Sequence, residues 1–271
     1  EPSSLVAEKY RDFNSYNTAI YTRGELFFHQ LRYIVGYPTM HRILETFYQR
    51  WKLKHVDEAA FRSVAEEVSG RDLSTFFAQW LHSTQLYDYG IGKVRRSRRE
   101  ASDETQPQWE TRVEVVRKAE GRIPVEVAII GEADTAVVRT VGLADREWVV
   151  VQTRSKPKEV RLDPRVRTHD WNMLNNRKRL GWFSPRSLFP PPGTEFYLHP
   201  YFSTRSRRDR LTVGLQPTVW YNDAGGVTLG VRSRDDYLGR FEQNVAMVTR
   251  STGWGVDDDV KDTDFFMRAR N

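Results

Sequence analysis

The feature that most constrains this chain is the period at which its apolar residues recur, which is helical from residue 1 to about 86 and alternating beyond Tyr89. In Met40, Ile43, Leu44, Phe47, Tyr48 and Trp51 the steps alternate between three and one. That is the stripe left by a 3.6-residue period with one face buried. Pro38 stands where a first helical turn tolerates proline. Asp57 fits an N-cap, Phe61, Val64, Ala65 and Val68 follow it, and Gly70 provides a stop. Leu73, Phe76, Phe77, Trp80 and Leu81 give a further apolar face. Together with an amphipathic helix ending at Gly36, the pattern predicts four consecutive helices joined by short turns, a bundle or solenoid-like layer over residues 1–86.

Past Tyr89 the period falls to two. Trp109–Val115, Ile123–Ile130, Val137–Val141, Trp148–Gln152 and Glu159–Leu162 read as five short strands separated by turns, a small antiparallel sandwich over 87–164. Residues 165–195, with Asn175, Asn176, Gly181 and the run Pro190–Gly193, read as a linker. Beyond it Leu211, Val213, Leu215, Val219 and Tyr221 alternate with Thr212, Gly214, Gln216 and Thr218. After a turn at Asn222–Gly226, Val227, Leu229 and Val231 alternate with Thr228, Gly230 and Arg232, and Phe241–Arg250 continues the pattern. This alternation fits two architectures, a half-buried antiparallel sheet and the strands of an outer-membrane barrel. The Thr, Gly, Gln and Arg face, and the aromatics Trp220, Tyr221, Tyr237 and Phe241 near strand ends, favour the barrel. Closure takes at least about eight strands, more than fit before Asn271, so the barrel is expected to be incomplete. The predicted fold class is multidomain, α then β: a helical bundle, a small antiparallel β-sandwich, and C-terminal antiparallel strands of incomplete barrel type over 196–271.

Composition removes several function classes. With 8 Trp, 12 Tyr and 14 Phe in 271 residues there is a core to pack, and disorder is excluded. The absence of cysteine rules out disulfides and thiolate metal sites, so a metal would need His and carboxylate ligands. The net charge of +6 is spread over Lys93–Arg99, Arg177–Arg179 and Arg205–Arg208, which share no helix and interleave no aromatics. They read as solvated loops, and a nucleic acid is not the expected partner. The chain starts at Glu1 with neither Met nor a signal-peptide core, from which a missing beginning is expected.

Read for chemistry, the residues give no self-sufficient active site. The six histidines, His29, His41, His55, His82, His169 and His199, make no H-E-x-x-H pattern. There is no Gly-x-Ser-x-Gly elbow or phosphate-binding glycine loop, and Glu66–Glu67 and Asp257–Asp259 read as solvated carboxylates. However, Tyr21-Thr22-Arg23-Gly24, the helix through Leu31 and Arg32, Phe47 and Tyr48, Gly70-Arg71-Asp72-Leu73 and Phe76-Phe77-x-x-Trp80 occur together and in order. Over residues 10–86 this series resembles the gluzincin aminopeptidases, the membrane alanyl aminopeptidase family. There a Tyr-x-Lys-Gly segment follows the zinc-binding helices, and Gly-x-Asp-Leu then Phe-Phe-x-x-Trp ends a helical unit.

The resemblance implies that Tyr21 is the catalytic tyrosine, donating a hydrogen bond to the oxyanion of a tetrahedral intermediate. Arg23 stands where the family has lysine and is read as structural, and Tyr16 is a second candidate for the same cleft. The family's zinc ligands lie upstream of its tyrosine and are absent here. The expectation is therefore the C-terminal portion of a zinc-dependent aminopeptidase acting on peptides. Zinc would be held in the complete enzyme and none by this chain, which alone is expected to be inactive; its partner would be the missing N-terminal catalytic part. With the barrel-type strands, the expected location is the periplasm or outer membrane of a Gram-negative cell envelope. The alternative is a catalytically inactive scaffold or outer-membrane interaction protein.

Overall fold

A computed structural model of the protein describes residues 1–99, 108–181, 194–199, 207–223, 225–238, 241–254 and 262–269. Pro190–Gly193, Arg205–Ser206 and Asp257–Asp259 lie outside the described residues. The chain forms two compact units, Glu1–Gly181 and Trp182–Asn271.

In the first unit the helices appear where the periodicity places them. Asp12 accepts the Ser15 N–H at 2.7 Å and starts α1 (Phe13–Asn17), which passes through a π-helical turn, Thr18–Thr22, into α2 (Arg23–Val35). Gly36, at φ 88°, makes the corner to α3 (Tyr37–Trp51), a conformation that a side chain would oppose. Asp57 caps α4 (Glu58–Ser69) by accepting the Ala60 N–H at 2.8 Å, and Gly70 closes it in the left-handed region at φ 65°. α5 (Ser74–Leu81) follows. Phe27 of α2 packs its ring 5.1 Å from Phe76 and 5.2 Å from Phe77, while Phe61 of α4 meets Phe47 of α3 at 5.1 Å. These rings lock the four helices together by dispersion and apolar burial.

The β part has β1 (Tyr89–Arg99), β2 (Gln108–Arg117) and β5 (Arg146–Thr153) in one sheet, ordered β1-β2-β5. β3 (Glu126–Gly131), β4 (Thr135–Arg139), β6 (Pro157–Leu162) and β7 (Arg177–Arg179) form the other, ordered β4-β3-β6-β7. All these pairings are antiparallel. Val113, Val115, Val149 and Val151 from the first sheet and Val127, Ile129, Val160 and Leu162 from the second are buried in one core with Phe27, Leu31, Phe77 and Trp80 of the helices. That core runs without a break across residue 86, so the helices and the sandwich stabilise one another.

Two expectations are corrected by these pairings. The basic run Lys93–Arg99 is not a loop but edge strand β1, paired to β2. Three of its cations are engaged: Arg99 meets Glu110 at 2.6 Å, Arg96 donates to the carbonyls of Pro157 and Leu180 at 3.0 and 2.9 Å, and Arg95 lies 5.7 Å over the Trp148 ring. Charge on an exposed edge strand protects it from pairing with another chain. The linker expected over 165–195 is, in its part 165–181, built into the first unit. The Trp171 N–H donates to Tyr87 O at 2.6 Å, the Leu162 N–H to Asn176 O at 2.8 Å, and β7 extends the second sheet.

In the second unit β8 (Glu195–Leu198) runs parallel to β9 (Thr212–Asn222), and β10 (Gly226–Tyr237), β11 (Phe241–Ser251) and β12 (Thr263–Arg268) continue antiparallel in the order β12-β11-β10-β9-β8. The parallel β8 makes the sheet mixed, and among the described residues it does not close into a barrel. Register places Val219 opposite Leu229, Pro217 opposite Val231, Val231 opposite Val248, and Val248 opposite Phe265, all on one face. That face is outward: Val219, Leu229, Val231, Val248 and Phe265 are 49–67% exposed. Thr228, Thr249 and Gln216, on the opposite face, are buried. One face is therefore apolar and outward, while the opposite face mixes Thr228, Thr249 and Gln216 with Trp220, Met247 and Phe266.

Candidate functional site

Tyr21 sits inside the π turn, where the Arg23 N–H reaches back five residues to the Thr18 carbonyl. An i to i+5 bond fits one extra residue into a helical turn, and such bulges recur at functional positions. Around the bulge the flanking residues divide sharply. Ala19 is buried, and Phe27, Gln30, Leu31 and Tyr33 form the inward face of α2. Tyr21 is 64% exposed and its phenol has no hydrogen-bond partner among the described residues. A tyrosine retained for packing buries its ring and wets only its tip, which is not the state of this side chain.

Tyr16 approaches it. The two rings are 6.4 Å apart in an edge-on arrangement, and Tyr16 rests at 5.5 Å on buried Tyr10, whose hydroxyl donates to Pro2 O at 3.0 Å. The structure therefore brings both sequence candidates into one aromatic row, in which Tyr10 backs Tyr16 and Tyr16 restricts where Tyr21 can swing. Arg23 turns the other way. Its guanidinium donates to the carbonyls of Gln79 and Ser83 at 3.2 and 2.5 Å and to Glu1 O at 3.3 Å, and it lies 5.8 Å over the Trp80 ring. Burial pulls its pKa down from the usual value, yet an arginine stays charged, and here it covers the carbonyls at the end of α5. Arg23 thus clamps the start of α2 to α5 while Tyr21 points away.

Gly24 completes the group. A Cβ placed there would have no heavy atom within 4 Å, so nothing in the described residues requires glycine at this helical position.

Among the described residues no group of three or more His, Asp or Glu side chains could hold a metal. His82 is bonded to Glu58 at 2.7 Å and to Ser4 at 3.0 Å, and His29 lies 3.6 Å from Glu25. The donor set does not fit a zinc centre. The π turn that displays Tyr21 and the clamp made by Arg23 were invisible in the sequence, since neither a bulge nor a carbonyl partner leaves a compositional trace.

No protein-family model and no curated protein sequence matches the chain. Solved structures do match, among them the crystal structure of Legionella pneumophila aminopeptidase A in complex with aspartic acid. It is 15% identical with a TM-score of 0.39, over 55% of this chain and 17% of that one. The chain therefore spans less than a fifth of that protein's length, and a likeness this distant has no bearing on function.

Proposed function

We propose that the chain is the C-terminal part of a zinc-dependent metallopeptidase of aminopeptidase type, in which Tyr21 donates its phenolic hydrogen bond to the oxyanion that forms when a peptide carbonyl is attacked. The observation that carries this reading is the presentation of Tyr21: exposed, unpartnered among the described residues, set in a π turn and braced by Tyr16 and by the Arg23 clamp. A donor fixed before reaction stabilises developing charge without reorganising. Tyr21 can serve the transition state in this way, and Tyr16 acts as a positioning residue for its ring. Among the described residues none form a group that fits zinc; on this reading the metal and the attacking water are supplied by another part of a longer protein, and this chain alone hydrolyses nothing.

The test is Tyr21→Phe in the complete protein. Loss of one oxyanion donor lowers kcat by about 100-fold to 1000-fold while KM changes little. An unchanged kcat with a raised KM would overturn the assignment.

For the second unit the exposed apolar face of Val219, Leu229, Val231, Val248 and Phe265 favours membrane strands. β9 and β10, at 11 and 12 residues, are long enough for the roughly 9–11 residues a tilted strand needs to span a bilayer. We read them as part of an outer-membrane-type barrel in a Gram-negative envelope. As the chain has no cysteine, single cysteines labelled with a fluorophore report depth: a label at Val231→Cys should be quenched by brominated lipid and one at Thr228→Cys should not. Equal quenching, or none, returns the sheet to an ordinary half-buried one and favours the scaffold alternative.

A further inference from the structure

Where α2 passes the segment after β6, the first unit holds a cleft of about 660 Å³ into which Arg32 of α2, Arg139 of β4 and Arg167 converge, with His29, His169 and Tyr37 beside them. Two acids also line it: Glu25 lies 3.6 Å from His29 one turn along α2, and Glu126, opposite Arg139 in the strand register, lies 3.9 Å from Arg165. The three arginines, by contrast, form no ion pair with a carboxylate among the described residues. Arg32 contacts His29 Nδ1 at 3.0 Å, and Arg139 donates to Tyr33 O at 2.8 Å with its guanidinium 4.1 Å over the Tyr33 ring. Three guanidinium groups against two carboxylates leave the cleft a net positive charge that an anionic ligand can neutralise.

Arg167 is presented by a rigid frame. The buried Asp163 carboxylate accepts the N–H groups of Arg167 and Thr168 at 2.8 Å each and the Thr168 hydroxyl at 2.7 Å, while Gln30 of α2 donates to the Arg167 carbonyl. Asp163, Val166 and His169 take φ of 42°, 55° and 53°. For β-branched Val166 that backbone is a true outlier, held in place because its surroundings determine the loop. The guanidinium of Arg167 is itself exposed and has no partner among the described residues. Beside the cleft, sharing His29, Arg32 and Tyr37 with it, lies a second hollow of about 430 Å³ whose walls are Phe28, Met40 and Leu44. Polar and apolar lobes thus meet at Arg32.

We propose that this two-lobed cleft binds an organic carboxylate, its anionic end on Arg139 and Arg167 and its apolar end against Phe28, Met40 and Leu44. Planar guanidinium groups match a carboxylate's two oxygens, and the volumes suit a small ligand. Two sources carry that chemistry, the C-terminal residue of a peptide and a medium-chain fatty acid. The site is independent of Tyr21 and of whether the complete protein is a peptidase.

Calorimetric titration of the 271-residue chain with N-acetyl-leucine, N-acetyl-leucinamide and octanoate tests it. The expected result is saturable binding of at least one acid, with the neutral amide weaker by about tenfold or more. Binding of N-acetyl-leucine identifies the peptide terminus and binding of octanoate alone the acyl chain. Arg167→Gln should weaken the acid by about tenfold without moving the melting temperature, and Arg167→Lys should recover part of the loss. Arg32→Gln gives a second variant should the first fail to fold. The proposal is overturned if neither acid saturates, if the amide binds as well as the acid, or if removing these cations leaves affinity unchanged.

Discussion

Replacing Gly24 with alanine separates what this chain needs from what its function needs. The backbone is helical from Phe13 through the π turn to Val35, so Gly24 is interior to a continuous helix and not a cap. There glycine is less favourable than alanine by about 0.5–1 kcal/mol, because the free chain loses more backbone entropy on folding. Usually such a glycine is kept because a side chain would collide, but a Cβ at 24 would meet nothing within 4 Å, and its φ is not positive. No steric term opposes the propensity term, so Gly24→Ala should stabilise the first unit by most of that amount. For a unit spanning Glu1–Gly181, it raises the melting temperature by about 1–3 °C. Thermal melting followed by far-ultraviolet circular dichroism on the isolated chain reads this directly. A fall in melting temperature would refute the argument, because it would mean that the open space beside Gly24 is not open. In the complete protein the same substitution should lower turnover if the surface beside Tyr21 receives another part of the enzyme or its substrate closely.

Two further outcomes come from the interior. Burial raises the pKa of the Asp170 carboxyl to about 7, against the pull of the Tyr89 and Asn172 N–H groups bonded to it at 3.0 and 2.9 Å. The folded state therefore holds a proton that the unfolded chain, with a value near 3.8, releases. Stability from this group is greatest below about pH 4, declines as pH rises towards 7 and then levels, a total of about 4 kcal/mol at about 1.4 kcal/mol per unit. Urea unfolding of Asp170→Asn at pH 5 and pH 8 should show that slope removed, and an unchanged slope would place the titration elsewhere. Phe77, 1% exposed among Phe27, Phe61 and Phe76, should cost about 3–5 kcal/mol when cut to alanine, and a loss below about 1 kcal/mol in denaturant unfolding would contradict the shared core.

The helices were legible because their signals are local. Three-and-one spacing marks α3, Asp57 and Gly70 bracket α4, and the stop at Gly36 coincides with a positive φ. β2 and β5 were legible through runs of Val. β1 was not, since the exposed end of an edge strand needs no alternation, and its Lys and Arg side chains hide it in a basic run. The segment 165–181 was misread for a related reason. Asp, Asn, Thr and Gly mark a solvated connector and an internally bonded one alike, and only the partners of Asp163 and Asp170 show which this is. At the site, Tyr21 was found through a motif and its exposure through the structure. The arginine cleft left no sequence trace, because Arg32, Arg139 and Arg167 come from three separate parts of the chain.

The π turn at Thr18–Thr22 also sets the phase of the helix around it. Helical residues advance about 100° each, so one residue added to a turn sets the two sides of the bulge out of phase by that angle. α1 and α2 are consequently offset in rotation, and Tyr16 of α1 can reach Tyr21 while the stripe of Phe27, Leu31 and Tyr33 still meets the core. Deleting a single residue from this turn would restore uninterrupted α-helical phase. The fold could keep α2 in place or keep the tyrosine row in place, but not both, which makes the length of this turn as selectable as any side chain in it.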